Sequence, residues 1–192
     1  MAHFLLGAVG SVGVVVAVQP GLQNFWGLAP PSPQHAFLLV GPLEELAKFL
    51  PVLILYRIRP AWFSHPAAWI VACASAGGGF GMTETLMKLS RPYNDPYHTL
   101  VSVTSGLFHP IVSGMVGWCI ARVEGGRIPA AAGGLALAAL LHGFWNALAY
   151  KDLEWVCLLA MIFAIWFCVR NLGRLFPEEA NQPVSSSSAP PT

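Results

Sequence analysis

The chain has 192 residues, 55% of them hydrophobic and 10% charged, with a mean hydropathy of +0.60 and a formal net charge of +1. Soluble domains carry about 25% charged residues, so an ordinary soluble fold is excluded. The near-zero net charge excludes the basic field of a nucleic-acid binder. The lipid bilayer is the expected surrounding, and nucleic acid is not an expected partner.

A transmembrane helix takes about 20 mostly apolar residues, which predicts an all-α, polytopic membrane helix bundle of about six transmembrane helices. Hydropathy places them at 4–19, 36–56, 65–87, 98–121, 129–150 and 153–170. The first is rich in Gly and Val and is expected to stop at Pro20. No Lys or Arg precedes it, as a signal peptide would require, so it is expected to stay in the protein. Pro30-Pro31-Ser32-Pro33, Arg59-Pro60, Arg91-Pro92 and Arg127-Ile128-Pro129 mark the later breaks. Residues 1–176 read as one transmembrane domain. Residues 177–192 turn polar, contain Ser185-Ser186-Ser187-Ser188, and read as a disordered tail.

Arg57, Arg59, Arg122, Arg127, Arg170 and Arg174 flank span ends on one side of this arrangement, against Lys88, Arg91 and Lys151 on the other. The positive-inside rule then puts both termini in the cytoplasm. Cys73, Cys119, Cys157 and Cys168 lie far apart in apolar stretches without a CxxC spacing and read as small core or lipid-facing residues.

Four successive spans carry polar residues that a lipid environment penalises. The second holds Glu44, Glu45 and Lys48, the third Glu84 after Gly77-Gly78-Gly79-Phe80-Gly81, the fourth His109-Pro110, and the fifth His142 and Asn146. A charge at a helix centre costs about 2.5–3.5 kcal/mol, so such residues are kept for a purpose or are mutually neutralised. Glu44 and Lys48 are four apart in the order that pairs best, which by itself describes a structural ion pair. Depth points further. At about 1.5 Å per residue from the non-cytoplasmic ends, these residues lie between about 5 Å (Glu84) and about 17 Å (His109) deep, in one half of the bilayer or near its midplane. His142 and Asn146 share a face, as do Phe80 and Glu84. The glycine run lets another backbone approach closely or lets the helix break beside a cavity.

Carboxylates, imidazoles and a carboxamide without a Ser-His-Asp set suit activation of water. Glu44 or Glu45 is the expected base. His109 is a water-orienting group or a metal ligand, His142 and Asn146 are the oxyanion stabilisers, and Glu84 is a metal ligand or proton shuttle. Zn2+ would find three ligands and a water among Glu45, Glu84, His109 and His142. No HExxH is present, and a metal-free glutamic mechanism is equally open.

These motifs resemble those of the PrsW family of intramembrane proteases, related to the CAAX prenyl endopeptidases and bacteriocin-processing homologues. The family's EExxK is matched by Glu44-Glu45-Leu46-Ala47-Lys48, its FxxxE by Phe80-Gly81-Met82-Thr83-Glu84, its lone histidine by His109, and its HxxxN or HxxxD by His142 to Asn146. The CAAX branch is less similar, with His where Glu84 stands and Arg one position beyond Lys48. The resemblance implies site-specific cleavage of a membrane-anchored protein of the anti-sigma-factor type, in a bacterial-type plasma membrane. Members of the wider group have been described as metallo-type and as glutamic-type. Two other functions compete: a proton- or cation-coupled transporter, which would show inverted repeats that residues 36–87 and 98–150 lack, and an inactive membrane scaffold.

Overall fold

A computed structural model describes residues 2–90, 96–123 and 127–151, with isolated positions between 153 and 170. Among the described residues the chain is all helical, with no strand. Five long helices follow one another. The first covers residues 2–26, the second 33–58, and a short 3-10 turn Pro60–Phe63 leads to the third, Pro66–Leu89. The fourth is Pro96–Ala121 and the fifth Arg127–Ala149.

The expected stop at Pro20 does not occur. The first helix runs through Pro20 to Trp26 and ends at Gly27, whose φ of 62° is the left-handed conformation that terminates helices. The second starts earlier than hydropathy places it, at Pro33, where the Ser32 side chain accepts from the His35 backbone N–H. It contains a π-helical turn, Ala36–Val40, just before the polar segment. Pro51 and Pro110 sit inside α-helices that continue past them.

Three helical stretches are long and apolar enough to cross a membrane: Leu6–Trp26, Thr99–Ala121 and Arg127–Ala149. The expected number of six is therefore not established. Four charged residues, Glu44, Glu45, Lys48 and Arg57, keep the second helix from qualifying, and the glycines and polar end of the third dilute its hydropathy. Most of the expected sixth span, the tail after 170, Cys157 and Cys168 lie outside the described residues. Cys73 is buried and Cys119 half-buried, both as free thiols.

The third and fourth helices pack along most of their length. Small residues make this possible, because a Cβ at Gly77 would collide with the His109 carbonyl and Ser113, and one at Gly81 with the Gly106 carbonyl. The helix does not break there, so close approach is what the glycine run provides. The first helix is tied in by Ser11 Oγ donating to the Ala47 carbonyl at 2.8 Å and Thr83 Oγ1 donating to the Ala8 carbonyl at 3.1 Å. Toward the Arg57 end, the rings of Tyr56, Phe63 and Trp69 pack edge-to-face and tilted against one another beside the apolar core of Val52, Val112 and Val116. The second helix is inverted relative to a soluble protein. Leu46, Leu50 and Leu53 are exposed, while Glu44, Glu45 and Lys48 are buried. Such a surface suits lipid, not water.

Candidate active site

Lys48 is the hub of the buried cluster, with 1% of its surface exposed. Its Nζ donates to Glu45 Oε1 at 2.6 Å and to His109 Nδ1 at 2.9 Å. It lies 3.5 Å from His142 Nδ1 and 3.8 Å from Glu44 Oε2, and 4.6 Å above the centre of the Phe80 ring. The closest carboxylate is three residues away, not four. Glu44, the partner that helical spacing favours, is the looser of the two.

Each histidine is held by a carboxylate at one ring nitrogen. His142 Nδ1 donates to Glu45 Oε1 at 2.8 Å, while Ser113 Oγ donates to Glu45 Oε2 at 3.2 Å. His109 Nε2 donates to Glu84 Oε2 at 2.7 Å, and Lys88 Nζ pairs with Glu84 Oε1 at 2.9 Å. These tautomers follow from the network, since a carboxylate only accepts. They leave His109 Nδ1 and His142 Nε2 as lone-pair nitrogens directed into the cluster. The His109 and His142 rings are 5.0 Å apart, and Phe80 and Phe108 wall them in.

Glu44 differs from its neighbours. Its Oε2 is buried without a hydrogen-bond partner and stands 3.5 Å from His142 Nε2. Two lone-pair atoms facing one another call for a proton or a cation between them. Glu44, His109 and His142 each offer one ligand atom, and these atoms lie within 4.8 Å of one another. A carboxylate and two imidazoles, each imidazole oriented by a carboxylate behind it, form the donor set zinc accepts. Charge agrees, because the three carboxylates Glu44, Glu45 and Glu84 outnumber the two ammoniums Lys48 and Lys88. The residues fit a divalent metal, with Lys48 as the internal cation competing for the same lone pairs.

The structure thus brings Glu44, Glu45, Lys48, Phe80, Glu84, His109 and His142 into one cluster. It divides the carboxylates differently from the ligand set expected from sequence. Glu44 faces the centre, whereas Glu45 and Glu84 stand behind the histidines. Asn146 is half-buried one turn beyond His142, and among the described residues its side chain makes no hydrogen bond to the cluster. Ser113 was missed by sequence reasoning. Its only signal was its place one turn after His109 on the same face.

The description "PrsW family intramembrane metalloprotease" matches residues 1–170 of the chain. Comparison with curated proteins and with solved structures finds no match. Apolar helices of membrane-crossing length and a match over most of the sequence agree on an integral membrane protein of protease type. This chain belongs to the PrsW family of intramembrane metalloproteases.

Proposed function

We propose that this chain hydrolyses a peptide bond of a membrane-anchored protein, of the anti-sigma-factor type, in a bacterial-type plasma membrane with both termini in the cytoplasm. The unpartnered Glu44 Oε2 facing His142 Nε2 carries this reading. It is a buried acceptor, without a hydrogen bond of its own, where a metal ion or a reacting water can be received.

Glu44, His109 and His142 would hold the metal. When bound, zinc supplies Lewis acidity and a water of lowered pKa. The protein's own groups do the rest. Glu45 and Glu84 fix the two imidazoles, and Lys48 holds the cluster's negative charge in place. Water gives a proton to the Glu44 carboxylate as its oxygen bonds to the scissile carbonyl carbon. Asn146, one turn beyond His142, receives the developing oxyanion; His142, with its Nδ1 proton given to Glu45 and its Nε2 a lone pair, has none to offer it. When the C–N bond breaks, the leaving nitrogen takes the proton back from Glu44. In a metal-free version the same Glu44 oxygen acts alone as the base.

The test reconstitutes the full-length protein in liposomes with a single-pass membrane substrate and compares wild type with Glu44→Ala, Glu45→Ala and His142→Ala. Cleavage is expected to fall at least about 100-fold in each. Wild-type rates in all three would remove the cluster from catalysis. A chelator that abolishes cleavage, restored by Zn2+, identifies the metal version. Indifference to chelator with no bound metal identifies the glutamate version.

A further inference from the structure

Hydrolysis consumes one water per turnover, and Glu44, His109 and His142 are buried, with Phe80 and Phe108 against the two imidazole rings. The small cavity behind Glu45, lined by Lys48, Phe49, Cys73, Ser113 and Val116, offers about 10 Å³ to water centres, room for a single molecule.

The other end of the cluster is polar in a way the mechanism does not use. His35, at the start of the second helix, is 3% exposed. Its Nδ1 lies 3.3 Å from the Tyr150 hydroxyl, just past the end of the fifth helix, and its Nε2 is buried with no partner. Tyr150 stands eight residues after His142 and four after Asn146, so the three form a stripe along one helix face leading from the cluster to the helix end. Two buried polar atoms that make no hydrogen bond, His35 Nε2 and Glu44 Oε2, thus lie on the second helix, which packs against the fifth. Buried polar atoms of this kind are satisfied by ordered water.

Resting on the hydrolase reading above, we propose that His35 and Tyr150 frame a water file between the second and fifth helices that leads to Glu44, with the Tyr150 hydroxyl positioning the incoming water. His35 fixes the Tyr150 hydroxyl, and its free Nε2 holds a further water of the file. Tyr150 is a positioning residue and forms no bond to substrate.

Two readouts test this on the full-length protein in detergent. In the first, which needs no cleavage, Glu44→Cys is treated with a small charged methanethiosulfonate and compared with Val52→Cys, a fully buried site on the same helix; wild type supplies the background of the native thiols. Glu44→Cys is expected to react at least about tenfold faster, and adding Tyr150→Trp to fill the file is expected to remove that advantage. Equal rates at 44 and 52 would overturn the file. In the second, Tyr150→Phe is expected to lower kcat about tenfold with KM within about twofold, and His35→Gln is expected to keep most of the kcat that His35→Leu loses. A wild-type kcat in Tyr150→Phe would overturn the positioning role. If wild type cleaves no substrate yet the labelling pattern holds, the file stands and the hydrolase reading falls.

Discussion

Glu44 and Glu45 are adjacent in the chain and opposite in circumstance. Glu45 is bonded to Lys48, His142 and Ser113, whereas one oxygen of Glu44 has no hydrogen-bond partner. Removing one member of a buried ion pair leaves an uncompensated charge and costs about 3–5 kcal/mol. Glu45→Ala is therefore expected to destabilise the protein by an amount of that order, read from thermal or denaturant unfolding in detergent. Glu44→Ala, which removes only the looser 3.8 Å contact with Lys48, is expected to destabilise by less than Glu45→Ala, and both are expected to lose cleavage. Equal stability of the two variants would show that Lys48 is not anchored by Glu45. Composition and motif spacing identify both carboxylates as buried and purposeful. They do not separate them, because the deciding contacts reach Ser113 and His142, 68 and 97 residues away. Local helix rules see only the i,i+4 partner, and that partner is not the one Lys48 holds most closely.

Among the helices, the third and fourth depend on the absence of side chains. A Cβ at Gly81 would meet the Gly106 carbonyl and approach the His109 ring, so Gly81→Leu must push the helices apart. Overpacking of this kind costs about 1–3 kcal/mol. Because the same interface holds His109 against Glu84, the expected outcome is a lowered melting temperature and, in the metal version of the proposed mechanism, loss of zinc binding measured by equilibrium dialysis. Gly133→Leu, at a position with open space around it, is the matched control. Zinc binding that survives Gly81→Leu would show that His109 is placed independently of this packing. The helices themselves are legible from hydropathy and proline punctuation, to within a few residues for the third, fourth and fifth. The first is not, since proline rules anticipate a stop at Pro20. The chain instead continues to a glycine able to take a positive φ, with Phe25 and Trp26 left exposed. His35 escapes sequence reading for a related reason. It lies in the extra turn that precedes the expected second span, in what hydropathy treats as a loop.

At the scale of the whole molecule, polar groups are inside and leucines outside, as a chain surrounded by lipid requires. The helix ends near His35, Glu84 and Tyr150 lie on one face of the bundle, and those near Arg57 and Arg127 on the other. Under the proposed orientation, a cysteine at Ser32 is expected to react with an impermeant thiol reagent in intact cells, whereas one at Ser64 is expected to react only after permeabilisation. The reverse pattern would invert the protein in its membrane and move the cluster to the cytoplasmic half. Sequence alone carries this orientation only as a bias in arginines, because charge records which end stays behind but not which helices touch.

The sharing of atoms around Lys48 and Glu45 has a consequence for how such a protein can change over time. Glu45 Oε1 serves both Lys48 and His142, and Lys48 serves both Glu45 and His109. No member of this net can drift alone, since each exchange would strand two neighbours. Tolerated variation there must arrive as concerted replacements, while the lipid-facing leucines one residue away are free to wander.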